Sequence, residues 1–256
     1  MNKQFIEIMC KIALVFVVFI FICLLLIKRF IYFRPSNHFL PTQEKYDIVN
    51  HEHLYGWLLE NKNSNQIILL CHGNYGNISH KEGKMIDMRN LGYSVLAFDY
   101  SGYGKSGGVP NEQRLYDDAS MMVALLRQTY QPDQIIIYGE SLGGPIATYV
   151  ARRYSIPTLI LEAPLPSVKI LIKNKYPLIS FIAFLFPEFD TEAYLRGYKG
   201  KSLIMHSVDD KKIPYSSVQN LVSLCSQHIQ IQGSHSNPDI PWEKVKIFIE
   251  SPYTDK

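Results

Sequence analysis

Residues 139–143 read Gly-Glu-Ser-Leu-Gly, between an apolar run of strand character, Ile135–Tyr138, and a stretch, Pro145–Val150, that opens as a helix. Proline is tolerated in a first helical turn, where its missing N–H has no partner anyway. A serine on so sharp a strand-to-helix turn is held at strained backbone angles. The residues two before and two after it then come too close together to carry side chains. Gly139 and Gly143 meet that demand. Such a bend lifts the Ser141 hydroxyl above the end of a sheet, where it can attack a carbonyl carbon. The start of the helix offers unpaired N–H groups, that of Leu142 first, to the negative charge that develops on the carbonyl oxygen.

A serine hydroxyl is a weak nucleophile and needs a base that a third group orients. After the apolar run Leu203–His206 come Ser207-Val208-Asp209-Asp210, and one of the two aspartates can accept a hydrogen bond from a histidine ring. The competing reading is that both cap the next helix or pair with Lys211 and Lys212. After Ile229–Ile231 come Gly233-Ser234-His235, a histidine near the end of the chain. The order Ser141, Asp210, His235 is that of hydrolases with a nucleophile on such a bend, and His72 and His206 come too early for the role. The loop His72-Gly73-Asn74-Tyr75-Gly76-Asn77 carries glycines at two points and can bring its backbone close to a ligand. Its Asn74 N–H is the expected second donor to the oxyanion, beside Leu142.

Two other patterns lead elsewhere. Gly104-Lys105-Ser106 resembles the end of a phosphate-binding loop, but that loop needs a glycine where Asp99 stands, which excludes the nucleotide reading. His51 and His53 have the spacing of a metal pair without a third ligand nearby, so they are expected to be solvated.

From Gln66 onward, apolar runs of strand length alternate with helix-length stretches. The runs are Ile67–Cys71, Ser94–Phe98, Ile135–Tyr138, Thr158–Leu161, Leu203–His206 and Ile229–Ile231. The helical stretches include Lys81–Leu91, Tyr116–Thr129 and Ser216–Cys225. This alternation predicts a mostly parallel sheet with helices on both faces and ligands at the carboxyl ends of its strands. Before it, Tyr46–Val49 and Leu54–Leu59 predict an antiparallel hairpin.

Ile12–Ile27 is sixteen apolar residues without a break, flanked by Lys11 and by Lys28-Arg29. With basic flanks that can snorkel, that run predicts one uncleaved membrane-spanning helix within residues 1–34. A signal peptide is the rival, but no small-residue cleavage site follows. The slight basic excess after the span leans towards a cytoplasmic catalytic domain. Residues 35–45, with two prolines, read as a linker, and residues 46–256 as one domain. Of the chain's 26 basic and 23 acidic residues, the first 34 positions hold five and one, so the remaining 21 and 22 nearly balance. The globular part has no electrostatic reason to seek nucleic acid. Four cysteines without zinc or C-x-x-C spacing read as reduced packing residues.

Taken together, the chain resembles the α/β-hydrolase superfamily, and more narrowly the Bem46 and ABHD groups of membrane-anchored hydrolases. The resemblance is carried, in order, by residues 69–77, 97–119, 138–144 (YGESLGG), 159–168 (LILEAPLPSV), 206–214 (HSVDDKKIP) and 233–235. It implies an eight-stranded α/β-hydrolase fold with a small cap, and it places Asp210, not Asp209, at the position of the triad acid. Ser207 departs from the glycine common there, and Ser236-Asn237-Pro238 depart from the acidic residue common after the histidine. It further implies a serine hydrolase acting on an acyl ester, thioester or amide, without metal or organic cofactor. A small molecule, a lipid or a lipidated protein would be the substrate; a peptidase, or a silent membrane scaffold on the same fold, are the alternatives. The insertion at about 165–195 is rich in apolar residues such as Ile170, Leu171, Ile172, Phe181 and Phe184. It reads either as a cap suited to an acyl chain or as a helix packed on the sheet.

Overall fold

The computed structural model describes residues 3–32, 46–175, 177, 180, 183, 184 and 186–252, and for residues 3, 5, 20–31 and 175 the backbone alone. The chain divides into two units, 1–33 and 34–256. The first holds a single helix, α1 (Lys3–Ile31), 29 residues long. Among the described residues no helix is long and apolar enough to cross a membrane. The side chains of residues 20–27, half of the apolar run on which the anchor expectation rests, lie outside them, as does the expected linker, 35–45.

In the second unit every expected apolar run becomes a strand: β3 (Ile67–Cys71), β4 (Ser94–Asp99), β5 (Ile135–Glu140), β6 (Thr158–Glu162), β7 (Lys201–Ser207) and β8 (Gln227–Ile231). They follow the hairpin β1 (Asp47–His51) and β2 (Leu54–Leu59). This hairpin is tighter than expected, with His51 paired to Leu54. The two-residue turn between them is possible because Glu52 adopts a φ of 53°. The sheet has eight strands in the order β1-β2-β4-β3-β5-β6-β7-β8. The β1/β2 and β2/β4 pairs are antiparallel, and the others parallel.

Successive residues of a strand face opposite sides, so a continuous apolar run such as IILLC serves two cores at once. On one face Ile68, Leu70, Ile136 and Tyr138 join a cluster with Met85 and Met88 of α2 (Glu82–Asn90) and Val245, Phe248 and Ile249 of α8 (Trp242–Glu250). Over the other lie α3 (Glu112–Leu126) and α4 (Gly143–Arg153), which pack together and on the sheet. In α3 the buried residues Leu115, Ala119, Met122, Val123 and Leu126 form one stripe at helical spacing.

The insertion between β6 and β7 divides between the two readings given to it. Its helix α6 (Thr191–Leu195) packs on α4 and buries Leu195. Its helix α5 (Val168–Lys175), at the carboxyl edge of the sheet, buries Ile172, half-buries Val168, Ile170 and Leu171 and exposes Lys169, Lys173 and Asn174, and Phe184 beyond it is exposed. Residues 176, 178, 179, 181, 182 and 185 lie outside the described residues. Between β7 and β8 lies α7 (Gln219–Leu224), shorter than the expected 216–225 because a 3-10 turn, Tyr215–Ser217, precedes it.

Trp57 of β2 is fully buried in the shared core, its ring 4.9 Å from that of Tyr46. Replacing a buried aromatic by alanine removes its transfer energy and leaves a cavity. Trp57→Ala is expected to lower the urea unfolding free energy by about 3–5 kcal/mol, read from the transition midpoint at unchanged slope.

Candidate active site

Ser141 sits between β5 and α4 with a φ of 52°, in the left-handed region where a non-glycine residue is strained. The bend that imposes this angle leaves no room around it. A Cβ on Gly143 would lie 1.9 Å from the Cys71 carbonyl oxygen, and one on Gly139 would lie 2.6 Å from both the Ala147 Cβ and the Gly143 oxygen. Two hydrogen bonds pin the strained residue to the neighbouring strand and its exit: Ser141 N–H donates to the Glu162 carbonyl (2.9 Å), and Leu165 N–H donates to the Ser141 carbonyl (2.9 Å).

His235 lies 94 positions further on, yet its Nε2 stands 2.9 Å from Ser141 Oγ. A small hairpin delivers it. β9 (Gly233–Ser234) pairs with β10 (Asn237–Pro238), which leaves His235 and Ser236 as the two turn residues. Lys212 Nζ donates to Ser236 Oγ (2.7 Å) and ties this turn to the loop after β7. On that loop Asp210 accepts from His235 Nδ1–H at 2.7 Å. A carboxylate can only accept, so the proton is on Nδ1 and Nε2 is left to accept from the serine hydroxyl. The other Asp210 oxygen accepts from the N–H groups of Lys212 (2.8 Å) and Ile213 (2.9 Å). Burial pushes the Asp210 carboxyl up, but the bonds from His235 and Ile213 outweigh it and hold the group below the usual carboxylate range. Asp209, by contrast, is exposed.

The loop after β3 runs alongside the bend. A Cβ on Gly73 would stand 3.4 Å from Ser141 Cβ. Burial lowers the pKa of His72, so its ring is neutral, and Nδ1–H donates to the Gly73 carbonyl (2.7 Å). Tyr100 OH donates to the His72 carbonyl (3.0 Å) and Tyr103 OH to Asn74 Oδ1 (2.7 Å). Asn74 and Leu142 therefore lie on the two segments that flank Ser141. The Gly104-Lys105-Ser106 loop folds around a carboxylate of its own: Asp99 accepts from the N–H groups of Ile78 (2.9 Å) and Lys105 (3.0 Å).

His53 differs from the solvated histidine expected of it. Its Nε2 lies 2.8 Å from Ser101 Oγ and 3.2 Å from Asp118 Oδ1. One ring nitrogen serves both partners, and Ser101 Oγ donates to the same Asp118 oxygen at 2.8 Å. The serine therefore points its proton at the acid, away from the imidazole, and this second Ser-His-Asp group has no relay geometry. Among the described residues no group of three or more His, Cys, Asp or Glu is placed to hold a metal ion. Cys71 and Cys225 are buried, and burial pushes the Cys71 thiol up to about 12. Behind the bend lie four charged residues that the sequence reading passed over, Lys81, Lys84, Glu140 and Glu162.

Comparison with known proteins places the chain in a family. The family pattern described as serine aminopeptidase, S33, matches residues 62–214, more than half of the chain. An uncharacterized membrane protein of Saccharomyces cerevisiae is 28% identical over 234 residues, covering 84% of this chain and 82% of that protein. A lysophosphatidylserine lipase, ABHD12, of Danio rerio is 29% identical over 203 residues, 71% of this chain but only 52% of the relative. An esterase of Pyrococcus furiosus shares the fold with a TM-score of 0.66 at 21% identity, covering 85% of this chain and 97% of the esterase.

The lowered pKa of Asp210 has a consequence of definite sign. A carboxyl with a folded pKa below its unfolded value of about 4 stabilises the fold above that unfolded value. The contribution is lost as pH falls through the folded pKa. Asp210→Asn is therefore expected to be less stable than wild type at pH 7, with the gap closing as urea unfolding is repeated at lower pH. A gap that widens on acidification would contradict the assignment.

Proposed function

Because the chain belongs to the α/β-hydrolase family described as serine aminopeptidase, S33, we propose that it is a serine hydrolase cleaving carboxylic ester or thioester bonds through Ser141, His235 and Asp210. The observation that carries this reading is the 2.9 Å contact between Ser141 Oγ and His235 Nε2 on a strained bend. His235 takes the serine proton as Oγ attacks the acyl carbon, and Asp210 stabilises the imidazolium that forms. The N–H groups of Asn74 and Leu142 hold the oxyanion of the tetrahedral intermediate. When it collapses, His235 gives the proton to the departing oxygen or sulfur, and the acyl group stays on Ser141. A water then attacks the acyl-enzyme, His235 takes its proton, and a second tetrahedral intermediate releases the acid and the free serine.

Acyl chains suit the site's surroundings. The half-buried helix α5 presents Ile170 and Leu171 at the carboxyl edge of the sheet, with the exposed Phe184 beyond. The names of two similar proteins, a lipase and an esterase, point to the same bond class. The substrate is an acyl-lipid or an acylated protein. Residues 1–34 anchor the enzyme in a membrane: Ile12, Leu14, Val15, Phe16 and Phe19 are 57–69% exposed, apolar area that costs about 25 cal/mol per Å² in water. A similar yeast protein is named as a membrane protein. The family description favours a second reading, an aminopeptidase on the same residues.

Two experiments test the proposal. A fluorophosphonate probe is expected to label wild type and not Ser141→Ala, and p-nitrophenyl butyrate to be turned over at least about a thousandfold faster by wild type than by Ser141→Ala. Faster cleavage of aminoacyl p-nitroanilides than of the ester would favour the peptidase, and a folded wild type that takes up no probe would be a silent scaffold. For the anchor, alkaline carbonate is expected to leave the full chain in the membrane pellet and a chain starting at residue 35 in the supernatant. Release of both would contradict it.

A further inference from the structure

Glu140, the residue before the nucleophile, faces Glu162 in the pairing of β5 with β6. Two carboxylates on adjacent strands, about 5 Å apart along the hydrogen-bonding direction, repel one another unless a cation stands between them. Lys84 of α2 is that cation. Its Nζ donates to Glu140 Oε2 at 2.7 Å and also to Glu162 Oε2. Lys81, one turn earlier, donates to the other oxygen of Glu140 at 2.5 Å, and Tyr138 OH donates to Glu162 at 2.5 Å. The group is neutral as a whole, with two lysines and two carboxylates, and Lys84 is the one member that touches both acids.

The network joins the parts that must be held together for catalysis. Glu140 adjoins Ser141 in the chain. The Glu162 carbonyl accepts the Ser141 N–H. Lys81 and Lys84 belong to the helical segment that begins as the loop 72–77 ends, and a Cβ on Gly73 of that loop would stand 3.0 Å from Glu140 Oε1. A cavity of about 470 Å³ borders all four charged groups. On that side the carboxylates border open space, and the ion pairs hold them in place.

We propose that Lys84 is a positioning residue: its ammonium, held between Glu140 and Glu162, fixes the bend that carries Ser141 against the loop that carries Asn74. This deepens the serine-hydrolase reading and rests on it. Burial alone would lower the Lys84 pKa, and the two carboxylates more than offset it; burial alone would raise that of Glu140, and Lys84 and Lys81 more than offset it. The charged forms of Lys84 and Glu140 thus stabilise one another. The other titratable groups bordering the cavity are His80 before α2, Asp87 on α2 and Asp239 after β10, and Tyr138 faces the network from β5.

Removing the Lys84 charge leaves two facing carboxylates with one lysine, so the pair takes up a proton well above the ordinary carboxylate range. While that proton is held the network is neutral and ordered. As pH rises and the proton leaves, the repulsion returns and the bend moves. Wild-type kcat is expected to rise as the catalytic base loses its proton and then to stay level. In Lys84→Met it should instead pass through a maximum and fall on the alkaline side.

The test uses the full-length protein with p-nitrophenyl butyrate across pH 5–9. At pH 8, Lys84→Met is expected to lose about ten- to a hundredfold in kcat with KM within about threefold, the scale of a small misplacement of reacting groups. Lys84→Arg should recover to within about threefold of wild type. Lys84→Met/Glu162→Gln, whose network is again neutral, should lose the alkaline decline and regain most of kcat. If Lys84→Met fails to fold while that double variant folds and turns over, charge balance at the bend is likewise upheld. A Lys84→Met enzyme that matches wild type in kcat and pH profile would overturn the inference, as would a double variant no better than the single one, or unfolded itself. Failure of wild type to take up a fluorophosphonate is a separate result, and would defeat the hydrolase reading on which the kinetic comparison rests.

Discussion

One strained residue constrains most of what surrounds it. Ser141 is held at a φ of 52°, a conformation that costs of the order of 1–3 kcal/mol and persists only where its neighbours over-determine it. Here the neighbours are a strand buried throughout its apolar part, a helix that starts within two residues, and backbone hydrogen bonds on either side. The glycines at 139 and 143 follow from the same bend, since the start of α4 lies where a Cβ on Gly139 would be and the backbone at the end of β3 lies where one on Gly143 would be. Large apolar runs on both faces of β3 and β5 supply the rigidity that keeps the angle from relaxing.

Around the bend, charge is arranged in two partly buried groups of different use. Asp210, His235 and Ser141 make a line of hydrogen bonds in which each proton has one direction to go. Lys81, Lys84, Glu140 and Glu162 make a closed network whose protons do not need to move. The first is arranged for reactivity and the second for rigidity, and both meet at consecutive residues, Glu140 and Ser141. A hydroxyl that must meet a base at hydrogen-bond distance gains little from a strained turn unless the turn itself is fixed.

Much of this was legible in the sequence because it is periodic or local. Apolar runs marked the strands of the parallel part, since strands covered on both faces have no polar side to interrupt them. The bend announced itself through two glycines at fixed distance from a serine. Asp210 could be preferred over Asp209 only through family resemblance; in the structure one carboxylate is buried against His235 and the other is exposed. The charged network was not visible, because Lys84 and Glu162 are 78 positions apart and each alone reads as a solvated surface residue. His53 was misread for the same reason, its partners Ser101 and Asp118 being 48 and 65 positions away. Helix α8 carries an apolar stripe at Val245, Phe248 and Ile249 that spans little more than one turn, too short to stand out as periodic.

Turnover by this site requires that Ser141 become covalently acylated through His235. Rapid mixing of the full-length enzyme with p-nitrophenyl acetate, acid quenching and intact mass measurement followed by peptide mapping addresses this directly. The predicted result is a single added acetyl group on the peptide that contains Ser141, formed within the first turnover and absent in His235→Ala. Release of p-nitrophenol with no acetyl on that peptide, or with acetyl on another residue, would contradict the account.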